Sequence, residues 1–181
     1  MIEFLSHSER AQMPTVAVVR GLYRAASAEP PLSEPEAVAD LFADIYGSAV
    51  EHEEVAAVVA RHEGEVTAFA YGHPWTWEQQ EDAWSAELHR TLGTASALLD
   101  GTHVLSLLVR HPGAARSALG SRVLEAWLTG IGGGPVWLQT TDIETPALRL
   151  YKTFGFDSIG HGPKAPNGEP GLVLYRRGVS R

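Results

Sequence analysis

The stretch from residue 102 to residue 141 constrains the fold of this chain more than any other. "THVLSLLVR" is a nearly continuous apolar run, as expected of a strand covered on both faces, whereas a strand with one wet face alternates. In "SALGSRVLEAWLTG", Leu119, Val123 and Trp127 keep helical register, and "GGGP" stops that helix. "VWLQTT" is then a second apolar strand. Strand, loop, helix, strand describes a right-handed βαβ crossover with two neighbouring parallel strands.

The flanking segments supply the rest of one domain, which is what 181 residues comfortably hold. Ile2 to Leu5 reads as an opening strand. Val16, Val19 and Tyr23 then fall on one helical face. After "EPPLSEP", Ser33 and Glu36 have the spacing of a capping box for a second helix, whose apolar face is read as Val38, Leu41, Phe42, Ile45 and Tyr46. Val55 to Arg61 and Val66 to Tyr71 form an antiparallel hairpin, with Gly64 at a positive φ in the turn. Residues 73–101 are too long for a turn and place Trp77, Glu81, Trp84 and Leu88 at helical spacing, so they predict a helical insertion, a lid or wall. The chain closes with a strand, a Pro/Gly-rich loop and a final strand.

Composition excludes several function classes. With no cysteine there is no disulfide framework, thiolate nucleophile or zinc knuckle. The eight histidines are scattered, and "HEEV" and "HEGEV" both fail H-E-x-x-H, so no metal is expected. A net charge of -8 argues against a nucleic-acid backbone as partner and suits a cationic small molecule, although such a charge also serves solubility alone. The charged N-terminus has no apolar h-region and no stretch approaches a membrane span, which predicts a soluble, cytoplasmic protein with no membrane partner.

Two junctions carry possible chemistry. In "VRHPGAARSALGSRVL" a buried strand runs through small residues into a helix, so the amides of Ala115, Arg116, Ser117, Ala118, Leu119 and Gly120 would face outward at the positive end of the helix dipole. Phosphates bind such places, and Arg116 and Arg122 could add charge-assisted bonds. An ordinary strand-to-helix connection explains the same residues equally well. In "TPALRLYKTFGF", Thr145 can cap and Pro146 suits the first helical position. Ala147, Leu150, Tyr151 and Phe154 share a face, and Gly155 ends the helix. Tyr151 thus points inward, either as a core aromatic or as a placed phenol.

Taken together, these stretches resemble the signature of the GNAT superfamily of acyl-CoA-dependent N-acyltransferases. "LLVRHPGAARSALGSRVL" is similar to its strand-loop-helix motif, L-x-V-x-P-x-x-R/Q-G-x-G-x-G/A-x-x-L-L, and "ALRLYKTFGF" closely matches A-x-x-L-Y-x-x-x-G-F. The resemblance extends from Val55 to Tyr175. It implies an α/β (α+β) fold with a mixed, largely antiparallel central sheet flanked by helices, whose parallel strand pair is splayed to hold acyl-CoA. Residues 102–156 would be the acyl-CoA-binding core, and 1–52 and 73–101 the walls of the acceptor pocket.

Carried over residue by residue, the resemblance implies that the backbone of Leu107, Leu108 and Val109 pairs with the pantetheine arm of acetyl-CoA. The diphosphate would rest on amides from Ala115 to Gly120 and on Ser121, Thr145 would touch the cofactor, and Tyr151 would be the general acid for the leaving thiolate. The implied reaction is direct transfer of an acetyl group to a primary amine of a small molecule or peptide, by a protein whose relatives are often homodimers. The alternative is a non-catalytic acyl-CoA-binding or regulatory module. Ala115, Arg116 and Ala118 depart from the loop consensus, His111 is an additional residue before the proline, and Ser106 stands where many relatives have a glutamate base. Glu78, Asp142, Glu144, His73 and His103 remain open as bases, and the acidic "WEQQED" is a possible attractor for a cationic acceptor.

Overall fold

A computed structural model of the chain describes residues 1–114 and 118–179. Its strands are β1 (Ile2–Leu5), β2 (Ala56–His62), β3 (Glu65–Trp75), β4 (Thr102–Arg110), β5 (Val136–Thr141), β6 (Asp157–Gly162) and β7 (Gly171–Arg176). The α-helices are α1 (Val16–Ser27), α2 (Glu36–His52), α3 (Ala83–Leu92), α4 (Leu119–Gly130) and α5 (Pro146–Thr153). The strands form one sheet in the order β1-β2-β3-β4-β5-β7-β6. It is antiparallel in the pairs β1/β2, β2/β3, β5/β7 and β6/β7, and parallel between β4 and β5. The parallel ladder covers two residue pairs, His103 with Val136 and Val104 with Trp137.

The chain divides into two compact units. The first comprises Met1–His73 and Ser106–Gly132. The β2–β3 hairpin turns through Glu63 (φ 51°) and Gly64 (φ 87°), the two positive φ values of a type I′ turn. Its core gathers Val19 and Leu22 of α1, Tyr46 of α2, Phe69 and Tyr71 of β3, and Leu107 and Val109 of β4. Tyr46 stands edge-on to Phe69 and Tyr71, with ring centroids 5.3 and 5.0 Å away, and its hydroxyl donates to the Pro14 carbonyl at 2.7 Å. On α4, Trp127 is fully buried and its indole N–H donates to Ala56 O at 2.9 Å.

Three details of this unit differ from the sequence reading. The capping box at Ser33 and Glu36 does not form. Ser33 adopts a left-handed conformation (φ 46°), Pro35 is the N-cap residue, and Glu34 instead accepts the Tyr23 hydroxyl at 2.6 Å. The α2 face is also rotated from the expected one. Val38, Ala39, Ala43, Tyr46 and Ala49 are buried, while Leu41 and Ile45 are more than two-fifths exposed. The alanines let the helix lie close to its neighbours, a preference that counting large side chains misses. In α1, Val19 and Leu22 are buried and Val16 is exposed.

The second unit comprises Pro74–Leu105 and Gly133–Arg181. Its core contains Trp75, Leu88, Leu92, Leu99, Val104, Trp137 and Val173. Fully burying each of the aliphatic members contributes roughly 1.5–3 kcal/mol. The 73–101 segment is largely helical, but its helix starts later than the tryptophan spacing predicts. Asp82 caps α3, accepting the Ser85 amide at 2.9 Å and the Ser85 hydroxyl at 2.6 Å, so Trp77 and Glu81 precede the helix. Trp77 lies on a short 3-10 turn, donates its indole N–H to Ser96 O at 2.9 Å and packs edge-on to Trp75. Among the described residues no helix is long and apolar enough to cross a membrane.

Candidate active site

In the first unit, β4 leads to α4 through a loop whose opening residues are fixed by His111. The His111 amide donates to Thr67 O at 2.9 Å, its ring Nδ1 accepts the Gly113 amide at 3.1 Å, and its carbonyl accepts the Ala114 amide at 3.0 Å. The backbone of residue 111 therefore ties the loop to β3, and its imidazole helps to turn it. Arg110 adds a bond from Nη1 to Ala114 O at 3.1 Å. Ala115, Arg116 and Ser117 lie outside the described residues.

The loop enters α4 at Ala118, the N-cap residue, with φ 68° and ψ 13°. A left-handed alanine is uncommon, because its Cβ crowds the backbone there. Its N-cap residue makes no side-chain capping bond. The Ala118 carbonyl accepts the Arg122 amide at 3.0 Å, while the amides of Leu119, Gly120 and Ser121 fall in the first turn, where a helix provides no carbonyl for them. Three donors and the positive end of the dipole thus share one place, an arrangement that suits an oxyanion of a diphosphate.

On β4, Leu107 and Val109 are buried, and Leu108 and Ser106 are half-buried. The Tyr71 phenol on neighbouring β3 is shut off from solvent and makes no hydrogen bond of ordinary geometry among the described residues. Burial first, and Tyr46 second, push its pKa up, while the Ser106 hydroxyl pulls the other way. No carboxylate occupies position 106, so this part of β4 offers hydroxyls and no base.

In the second unit, the ends of α5 are built as its sequence predicts, but of the expected face Ala147, Leu150, Tyr151 and Phe154 only Tyr151 is buried, together with Leu148. The Thr145 hydroxyl accepts the Leu148 amide at 3.0 Å, Pro146 opens the first turn, and Gly155 follows the helix with φ 81°. The Thr145 acceptor is therefore engaged in the cap, leaving its O–H as the group for any ligand. Tyr151 is 6% exposed, with its ring 5.8 Å from that of Phe156. Burial pushes its phenol well above the ordinary tyrosine range, so it is protonated at neutral pH and can donate a hydrogen bond.

The possible bases are placed as follows. Glu144 pairs with Arg149 at 3.0 Å, Glu78 is exposed, and His73 lies 3.7 Å from Glu53. Asp142 Oδ2 lies 2.6 Å from His161 Nε2. Sequence reasoning missed His161, because only the β5-β7-β6 arrangement brings it to a residue 19 positions away. Among the described residues, no three of His, Cys, Asp and Glu gather as metal ligands would.

This order of elements, with a parallel β4/β5 ladder and a tyrosine-bearing helix after β5, is the fold seen in solved structures of GNAT acetyltransferases. Solved structures share it along nearly the whole chain. The aminoglycoside 6'-acetyltransferase type Ii is 19% identical with a TM-score of 0.60, covering 100% of this chain and 99% of that one. A structure described as histone acetyltransferase HPA2 and related acetyltransferase, from Corynebacterium glutamicum, is 18% identical with a TM-score of 0.62, covering 100% and 97%. The PaiA N-acetyltransferase from Thermoplasma acidophilum, in complex with coenzyme A, is 12% identical with a TM-score of 0.53, covering 98% and 99%. No family model and no curated protein matches the sequence.

Proposed function

We propose that the protein is a cytoplasmic acetyl-CoA-dependent N-acetyltransferase acting on a primary amine of a small molecule or peptide. The observation that carries this reading is the first turn of α4, whose N-cap residue makes no side-chain bond to its amides, next in chain order after the apolar strand β4. The amides of Leu119, Gly120 and Ser121 hold the diphosphate, together with the loop residues Ala115, Arg116, Ser117 and Ala118. Backbone groups of Leu107, Leu108 and Val109 take the pantetheine arm, in a part of β4 beyond the two-residue ladder with β5.

Bound acetyl-CoA supplies an activated thioester. The backbone amide near Leu108 polarises its carbonyl, and the neutral acceptor amine attacks that carbon directly. As the carbon–nitrogen bond forms, the carbon–sulfur bond breaks and the amine's extra proton passes to solvent or a base. Tyr151 donates to the departing sulfur. Its raised pKa keeps the phenol protonated, but the same shift opposes complete proton transfer to a thiolate whose own pKa is about 8.5. Tyr151 therefore acts chiefly by hydrogen bonding to the developing charge. Thiol release from acetyl-CoA, measured across polyamines, aminoglycosides, amino acids and peptides, tests the reading; silence across the panel overturns catalysis.

A second reading is favoured by Ser106, which puts a hydroxyl and no carboxylate base at this point of β4. In that reading the chain binds acyl-CoA without turnover. Calorimetry separates the two: heat of binding with no thiol release supports the module, and release supports the enzyme.

A further inference from the structure

The second unit contains a pocket of about 400 Å³ that the acyl-transfer reading does not use. It lies at the start of β5, since Arg176 in its wall pairs with Val136, the first residue of that strand. Thr145 and the N-terminus of α5 follow the opposite end of β5. Its volume falls in the range of about 300–1,000 Å³ typical of small-molecule sites.

The lining has two parts. Leu98, Phe154, Ile159 and Tyr175 form an apolar surface, and Arg176 and Arg177 bring two positive charges to it. The Arg176 guanidinium is fixed in place by a bond from Nε to Phe154 O at 2.9 Å. Its Nη1 is shut off from solvent and has no hydrogen-bond partner among the described residues. Neither arginine has a carboxylate in ion-pair range among the described residues. An anchored guanidinium without a counter-charge is rare away from binding sites, because such groups normally pair when they are withdrawn from water. Asp157 also lines the pocket, which leaves a net single positive charge and disfavours a doubly charged guest.

From this combination we infer that the pocket binds a small monocarboxylate with an aromatic or branched apolar body. The carboxylate meets the arginine pair, where planar, bidentate geometry favours it over a point charge. The apolar body covers Leu98, Phe154, Ile159 and Tyr175. This site does not depend on acyl transfer.

The test is isothermal titration of the full chain with phenylacetate, phenylacetamide and phenyl phosphate. Phenylacetate is expected to bind about tenfold or more tightly than the other two, as a charge-assisted pair requires. Arg176→Gln should weaken it by about the same factor. Because Arg176 also holds Phe154, Leu98→Trp is the second variant: Leu98 is 44% exposed, so a larger side chain fills the pocket mouth without disturbing the core. That variant should abolish binding. Equal affinity for acid and amide, no phenylacetate binding at millimolar concentration, or undiminished binding to Leu98→Trp would overturn the inference. Competition by acetyl-CoA would also overturn it, by placing the carboxylate at the acyl-transfer site, whereas an unchanged affinity in its presence supports a separate pocket.

Discussion

Thr145 caps its own helix: its hydroxyl oxygen accepts the Leu148 amide at 3.0 Å in a position only 5% exposed. Thr145→Ala is expected to destabilise the protein by about 1 kcal/mol, the usual cost of losing such a cap. For a chain of this size that lowers Tm by roughly 2–4 °C. Thr145→Ser keeps the oxygen and should remain within a fraction of that loss. Thermal melts of the two variants check the assignment, and equal losses would show that the methyl group matters and the cap does not.

Tyr151 is buried and its phenol stays protonated through neutral pH. If it donates to the departing sulfur, Tyr151→Phe lowers kcat by about 10²-fold and leaves the KM for acetyl-CoA nearly unchanged, because the bond matters only as sulfur charge develops. The pH profile of the parent protein is also constrained. A phenol with its pKa pushed above the ordinary value of about 10 gives no falling limb below that pH. An alkaline fall near pH 9 that disappears in Tyr151→Phe would contradict the shifted phenol.

Much of this architecture was legible in the sequence because its strongest signals are local. β1, β4 and β5 fall on the residues their sequence patterns predict. The α5 boundaries follow from Thr145, Pro146 and Gly155. What was not legible depends on neighbours distant in sequence. The buried face of α2 is chosen by alanines that permit close approach, and β3 runs on through Pro74 to Trp75 although a proline argues against a strand. The role of His111 as a loop anchor needs Thr67 beside it, and the pairing of Asp142 with His161 needs β7 between their strands. The left-handed Ala118 has no local signal, since alanine carries no preference for that conformation.

Gly130, the last residue of α4, lies against Phe4 of β1 so closely that a Cβ there would overlap the aromatic ring. In an open helix, alanine would gain about 1 kcal/mol over glycine. Here the overlap should reverse the sign, and Gly130→Ala is expected to destabilise by about 1–3 kcal/mol, as overpacking does. Removing the ring restores the helical preference, so Phe4→Leu combined with Gly130→Ala should be less destabilised than the sum of the two single changes. Chemical denaturation of all four proteins gives the coupling. Strict additivity would place the Gly130 effect elsewhere.

Four tyrosines share one electrostatic fate. Burial is the first cause raising the pKa of Tyr23, Tyr46, Tyr71 and Tyr151, with Glu34 adding to it at Tyr23; Tyr46 is pushed up to about 12. In each case the folded state holds its proton at a pH where the unfolded chain, with an ordinary value near 10, has begun to release it. The unfolded state then binds fewer protons than the folded one, so stability falls as pH rises. The contribution is complete below about pH 10 and is lost above it, as pH climbs toward the folded values, at up to about 1.4 kcal/mol per pH unit for each tyrosine. Urea unfolding followed between pH 8 and 12 should therefore show a plateau and then a steep decline, with tyrosinate absorbance appearing together with unfolding for most of the signal. Tyr71→Phe removes one of the four groups and should make the decline shallower. A parent protein whose tyrosines ionise near pH 10 while it stays folded would show that these rings are open to water.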